Sequence, residues 1–127
     1  MDDSVVTKRD RSARRTGCAV EVTLSVIGGV WKPVILFHLL GGTLRFNALC
    51  RLTPAATPRM MTLQLRELER DGIVSRTVHA QVPPRVEYAL TPLGRTLEPL
   101  LLGMRAWGDQ FRAGQPVTPS TASGEPN

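Results

Sequence analysis

The sequence has few of the residues that build metal centres or active sites. Its 127 residues include only two cysteines, Cys18 and Cys50, and two histidines, His38 and His79. These four side chains are dispersed, without a CxxC or HxxxH spacing, so no metal site is predicted. The chain also lacks GxSxG, HExxH and glycine-rich phosphate-loop motifs. We therefore expect neither an enzyme nor a bound cofactor.

Long apolar runs are absent as well. No stretch approaches the roughly 18 apolar residues of a membrane-spanning helix. The first residues are acidic and then basic, without the apolar segment that is typical of a signal peptide. The sequence therefore predicts a cytoplasmic protein with reduced thiols and no membrane partner.

Both ends of the chain lack apolar periodicity. Residues 1–16 are rich in Arg and Lys, and Pro, Ser, Thr and Gly dominate residues 113–127. Neither segment has enough apolar surface to offset the entropy lost on ordering. We expect a disordered basic N-terminal arm over 1–16, one folded domain over 17–112 and a disordered tail over 113–127.

The charge balance points to an anionic partner. The chain has 16 Lys and Arg against 11 Asp and Glu, a formal net charge of +5. A small basic domain favours nucleic acid or another anionic surface. A charge of this size also serves ordinary solubility, so the fold and the position of the arginines must distinguish the two.

The first part of the folded region has helical periodicity. Apolar residues recur every three or four positions, and glycine or proline bounds each periodic segment. A Thr57-Pro58 start and a Gly72 stop frame the most amphipathic of these segments. Helices are predicted over 18–29, 33–41, 45–52 and 58–71.

After Gly72 the apolar period changes to alternation. Two alternating runs, 74–79 and 86–90, flank a loop with two prolines, which predicts a β-hairpin. A last helix follows from Thr91 to about Arg112, bent at Pro99. The fold class is therefore α+β and mainly helical: a winged helix-turn-helix with a two- or three-stranded β-wing and a long C-terminal helix. The third strand would lie near residues 43–44.

The fourth predicted helix has two distinct faces. Leu65 and Leu68 lie within about 40° of Met61 around the helix, and the three form a buried stripe, so the arginines point outward. Arginine can bond guanine, threonine a base edge, and an apolar tip a thymine methyl. A solvated amphipathic helix has the same pattern, and the adjoining hairpin favours DNA. The predicted base contacts are Arg59, Thr62, Leu63 and Arg66. The predicted backbone contacts are Thr57, Lys32, Arg76 and Arg85, with Pro58 at the helix start.

Four segments of the sequence resemble the HxlR-type transcriptional regulators. GGVWKPVILFHLL, RFNALCRL, MTLQLRELERDGIVSR and VPPRVEYALTPLGRTL occur in that family's order and spacing. The resemblance implies a bacterial homodimer on pseudo-palindromic operator DNA, with a recognition helix over 58–71 and a wing over about 79–86. It implies dimerisation through the first and last helices, by Val20, Leu24, Ile27, Leu97, Leu101, Met104 and Trp107.

The sequence differs from the family pattern at two positions and shares with it one cysteine. The family commonly has lysine where Val30 stands and a polar residue where Leu63 stands. Cys18 occupies the place of the family's thiol-reactive cysteine, so Cys18 and Cys50 are the candidate redox-sensing residues. An inter-subunit disulfide between them would need Cα atoms within about 7 Å. A packed, unreactive Cys18 is the alternative.

Two other functions remain open at the level of sequence. Winged helices also serve as protein-interaction modules, in which case the basic face would bind an acidic partner. A small-molecule-responsive regulator without redox sensing is the second alternative, with an unidentified effector bound between the last helices.

Overall fold

A computed structural model describes residues 15–116 of the chain. Most of the predicted arm and tail, residues 1–14 and 117–127, lies outside the described residues. The element order confirms the predicted winged helix-turn-helix, in which helices precede and follow a hairpin. The helices are α1 (Ala19–Ile27), α2 (Trp31–Leu39), α3 (Phe46–Leu52), α4 (Pro58–Arg70), α5 (Pro92–Arg95) and α6 (Glu98–Arg112), and the strands are β1 (Leu44–Arg45), β2 (Val74–His79) and β3 (Arg85–Leu90).

The wing is an antiparallel sheet of three strands in the order β1-β3-β2. Val74 lies opposite Leu90, and His79 lies opposite Arg85, so β2 and β3 pair over their full length. The short β1 pairs with the other edge of β3, with Leu44 opposite Tyr88. Both the predicted hairpin and the predicted third strand are therefore present, the latter one residue further along.

The core forms around α2. Ile35, Leu36 and Leu39 are fully buried, and they meet Leu49 of α3 and the apolar stripe of α4. Each such side chain stabilises the fold by about 1.5–3 kcal/mol through removal of apolar surface from water. Between residues 15 and 116, no single helix is long and apolar enough to cross a membrane. Only α1 and α2 taken together, with a 76° bend between them, meet that requirement by length and composition.

Two helices differ from their predicted bounds. The second helix begins at Trp31 rather than at Pro33. Proline fits there because the first amide groups of a helix have no partner within the helix. The last predicted helix is broken rather than bent, and α6 starts anew with Pro99 as its second residue. In a continuous helix, the ring of Pro99 would clash with the carbonyl of Arg95 and leave it without a donor.

The earlier start of α2 changes the role of Lys32. The sequence predicts that Lys32 contacts a DNA phosphate, but its residue surface is only 6 % exposed. Its Nζ instead pairs with the carboxylate of Glu67 on α4. As the second residue of α2, Lys32 lies on the side of the helix that faces α4. Lys32 therefore joins α4 to the core and is not available to DNA.

Removal of this one buried charge should destabilise the fold. We expect Lys32→Met to lower the free energy of unfolding by about 3 kcal/mol, because it removes the buried cation that pairs with the Glu67 carboxylate. The double variant Lys32→Met/Glu67→Met should recover most of the loss. Urea unfolding followed by circular dichroism measures both. A double variant as unstable as the single one would show that the pair does not act as a unit.

Candidate nucleic-acid interface

Local signals set both ends of α4. The Thr57 hydroxyl oxygen accepts a hydrogen bond from the Met60 amide at 3.1 Å, and Pro58 occupies the first helical position. At the other end Asp71 caps the helix, and Gly72 has a φ of 77°, which favours glycine. The helix thus has a defined start and length.

The rotation of α4 about its axis follows from its apolar stripe. Met61, Leu65 and Leu68 are completely buried against the core. The opposite face carries the exposed residues Arg59, Leu63 and Arg66. The Leu63 residue keeps 46 % of its surface exposed, although burial would be favourable for it. The structure thus brings these three predicted base-reading side chains together on one outward face.

The outward arginines have no internal partner. No ion pair or hydrogen bond joins the side chain of Arg59 or Arg66 to any residue between 15 and 116. Thr62, a predicted base contact, already uses its hydroxyl hydrogen within the helix. Its hydroxyl donates to the Pro58 carbonyl at 2.9 Å, so towards a ligand it can only accept. Within residues 15–116, Arg59 and Arg66 therefore keep their side-chain donors free, as does the exposed Arg70 at the end of the same face.

A buried threonine that sequence reasoning missed sets the turn between α3 and α4. Thr53 is 3 % exposed, and its hydroxyl donates to the Leu49 carbonyl at 2.8 Å and contacts the Met61 sulfur at 3.4 Å. These contacts connect the end of α3 to the buried side of α4. The signal was the threonine directly after a helix, where its hydroxyl can bond the last free carbonyls.

The two wing arginines lie in different environments. Arg85 contacts Glu87 across 3.3 Å, and His79 Nε2 lies 2.8 Å from the same carboxylate. The hydrogen bond from His79, together with the positive charges of Arg85 and Arg45, lowers the pKa of Glu87. Glu87 therefore stays ionised and pairs with Arg85 at the loop end of the hairpin. A phosphate would have to compete with it for the Arg85 guanidinium.

Arg76 lies on the opposite face of the hairpin. It is exposed and stands directly across from Tyr88, whose side chain packs into the core. Side chains directly opposite each other share one face of a sheet, so Arg76 is on the side against which the helices pack. It has no ion pair with any residue that the structure describes. The tip of the wing between the strands is uncharged, with Val82 99 % exposed.

The predicted dimer residues divide into two groups. Ile27 and Leu101 are 3 % and 2 % exposed and belong to this chain's own core, while Leu97 is half-buried. The others remain outside, as do three exposed apolar residues of α6 that the prediction omitted, Leu100, Leu102 and Phe111. Trp107 and Phe111 stack with their ring centroids 5.1 Å apart. The exposed apolar residues of α1 and α6 are Val20, Leu24, Leu100, Met104, Trp107 and Phe111, together with Leu102 on a different side of α6.

The cysteines differ in accessibility. Cys18 is exposed and caps the N-terminus of α1. Cys50 lies half-buried on α3, and burial raises the pKa of its thiol. Both thiols are free. A nearby oxidant therefore meets Cys18 first, and Cys50 forms its thiolate less readily.

Comparison with known proteins agrees with this geometry. Residues 26–116 match the family described as HxlR-like helix-turn-helix. The HTH-type transcriptional regulator YdeP of Bacillus subtilis is 57 % identical over 96 residues, which cover 76 % of this chain and 75 % of that protein.

Two solved structures of the redox regulator HypR resemble the fold described above. The oxidised form is 58 % identical, with a TM-score of 0.71, and the match covers 73 % of this chain and 96 % of that one. The reduced form is 57 % identical, with a TM-score of 0.72, and covers 75 % and 94 %. The relatives are transcriptional regulators and not enzymes. The chain belongs to the HxlR-like helix-turn-helix family of transcriptional regulators.

Proposed function

We propose that the protein is a homodimer that binds a pseudo-palindromic operator in the cytoplasm. The proposal rests mainly on the residues that α4 exposes on its outward face. It presents two arginines that have no partner among residues 15–116, on either side of an exposed leucine, and the Met61–Leu65–Leu68 stripe fixes its direction. A side chain that contributes nothing to the fold and faces outward beside a wing is free to read DNA.

The residues of this face suit the edges of bases in a major groove. Arg59 stands in the first turn of α4, where recognition helices make base contacts, and its guanidinium can bond O6 and N7 of guanine. Arg66 lies two turns further on the same face. Between them Leu63 offers a methyl-bearing tip, which suits the 5-methyl group of thymine.

Other groups would position the DNA backbone. In the first turn of α4, Pro58 has no N–H and the Met60 amide donates to Thr57, which leaves the Arg59 amide as the group that suits a phosphate. Arg76 is free on the helix side of the wing. Arg85 is a weaker candidate than the sequence predicts, because Glu87 already holds its guanidinium.

The second copy would cover the apolar faces of α1 and α6. Leu100, Met104, Trp107 and Phe111 follow one another at spacings of four, three and four residues, the pattern of a helix-helix seam. Val20 and Leu24 add exposed apolar surface from α1. Such a large apolar surface is typical of a protein-protein interface. Leu101 and Ile27 would support the seam from inside the chain.

The same protein would respond to oxidants through Cys18, with Cys50 as its partner. Cys18 is accessible, and two structures of a similar protein carry the titles of an oxidised and a reduced redox regulator. An oxidant such as diamide would accept two electrons and two protons from the two thiols, and one sulfur-sulfur bond would form between subunits. In a dimer this bond would change the distance between the two recognition helices.

Arg59 and Arg76 should affect DNA binding in different ways. Arg59→Ala should cost about 1–3 kcal/mol on the selected operator and relax one base preference, because it removes a base contact. Arg76→Ala should weaken binding to all sequences and reduce the salt slope by about one, because it removes a phosphate contact. Fluorescence anisotropy over a salt series, on operator and random DNA, measures both. Equal losses on the two DNAs for both variants would contradict this division.

Leu63 should determine a preference for thymine. We expect Leu63→Gln to lose discrimination between thymine and uracil at one operator position, because only thymine has the methyl group. The measurement compares the affinities of operators in which single thymines are replaced by uracil. Leu63→Met keeps an apolar tip and serves as the matched control. A wild-type protein that is indifferent to every such replacement would show that Leu63 is merely exposed.

Cys18 should be required for the redox response. Diamide should convert the wild-type monomer band to a dimer band on a non-reducing gel and change operator affinity, and dithiothreitol should reverse both. Cys18→Ser and Cys50→Ser should each abolish the covalent dimer and leave reduced-state binding intact. An oxidised wild type with an unchanged monomer band and unchanged affinity would refute redox sensing and leave DNA binding untouched.

A further inference from the structure

We infer that Arg15 is a positioning residue that sets the distance between the two half-sites the protein recognises. Its guanidinium joins two helices: Nη2 pairs with Asp71 Oδ1 at 2.8 Å, and Nε donates to Ser25 Oγ at 3.2 Å. We call these three residues the Arg15 clamp. The inference rests on the proposed function, because it assumes a DNA-binding dimer.

The partner on the α4 side explains why an arginine is needed. Asp71 caps the C-terminus of α4, where its negative charge meets the negative end of the helix dipole. An acidic side chain at that end is unfavourable unless a cation compensates for it. Arg15 supplies this cation, and the Asp71 side chain is only 13 % exposed. The Arg15 side chain is 40 % exposed, so solvent partly screens the ion pair.

The partner on the α1 side is equally well placed. Ser25 is 3 % exposed, and its hydroxyl donates to the Val22 carbonyl at 2.6 Å while it accepts from Arg15. The buried residues of α1, Ser25 and Ile27, both belong to its last turn. The clamp therefore fastens the buried end of α1 to the C-terminal end of α4.

These two helices have different tasks in the proposed dimer. α1 presents Val20 and Leu24 to the second copy, whereas α4 presents its arginines to the bases. A connection between them fixes the recognition helix relative to the dimer axis. In a symmetric dimer, that geometry determines the separation of the two recognition helices and hence the spacing of half-sites along the DNA.

The preference for one half-site separation distinguishes the proposed role of Arg15 from a general contribution to stability. Operators are made with the half-sites at the preferred separation and displaced by one or two base pairs. We expect the wild type to favour the preferred separation by about tenfold, since other separations demand twisted or bent DNA. Arg15→Gln and Asp71→Asn should each reduce this ratio to about threefold or less. Base preferences within a half-site should not change.

Two further variants sharpen the comparison. The double variant Arg15→Gln/Asp71→Asn should resemble Arg15→Gln, since both lack the whole clamp and all three variants break the Arg15–Asp71 ion pair. Arg112→Gln removes an equal charge from an exposed pair with Asp109 on α6, and it should keep the wild-type ratio. A wild-type ratio in Arg15→Gln, or equal losses at every spacing, would overturn the clamp while the proposed function stands.

Amide hydrogen exchange on the DNA-free protein tests the Arg15 clamp independently of the proposed function. Arg15→Gln should speed exchange in α1 and in the last turn of α4, and Arg112→Gln should not. If the wild type fails to bind any DNA, the proposed function fails and exchange alone decides about the clamp. Unchanged exchange in both helices of Arg15→Gln would overturn it.

Discussion

The rest of the structure depends on how α4 packs against the core. Met61, Leu65 and Leu68 are fully buried, and Lys32 adds an ion pair from α2 to Glu67 on the same helix. Burial of apolar side chains supplies most of the stabilising free energy, about 1.5–3 kcal/mol for each large side chain. Apolar contacts alone would still allow α4 to rotate slightly about its axis. The buried Lys32–Glu67 ion pair favours one rotation of α4 about its axis, because any other rotation would separate the two charges. Every outward residue of α4 takes its position from this packing.

The arginines of the domain divide by whether the fold already uses them. Glu87 holds Arg85, and Asp71 holds Arg15, both within this chain. Arg59, Arg66 and Arg76 have no ion pair with any residue from 15 to 116. Net charge alone therefore says little about the partner. Of the arginines without such an ion pair, Arg59 and Arg66 lie on the outward face of α4, and Arg76 lies on the helix side of the wing.

The elements with local signals could be predicted from the sequence. Thr57, Pro58 and Gly72 mark the ends of α4 because capping and positive φ depend on neighbouring residues. The burial of Lys32 could not be predicted, because its partner is 35 residues away along the chain. Periodicity identified the apolar face of the last helix, but not whether this chain or a second copy covers it. Leu101, a predicted interface residue, accordingly lies in this chain's own core, whereas Phe111, which the prediction lacks, is exposed. The pairing of Arg85 with Glu87 had a readable signal, because residues two apart on a strand share a face.

Selection of bound sequences from a random duplex library, with and without reductant, tests the central claim most directly. If α4 reads bases from a symmetric dimer, the enriched sequences should be inverted repeats. Their half-sites should lie about one helical turn apart, or a multiple of it. The enrichment should change when reductant is removed. Enrichment of no sequence, or of a single half-site without symmetry in both conditions, would contradict the account.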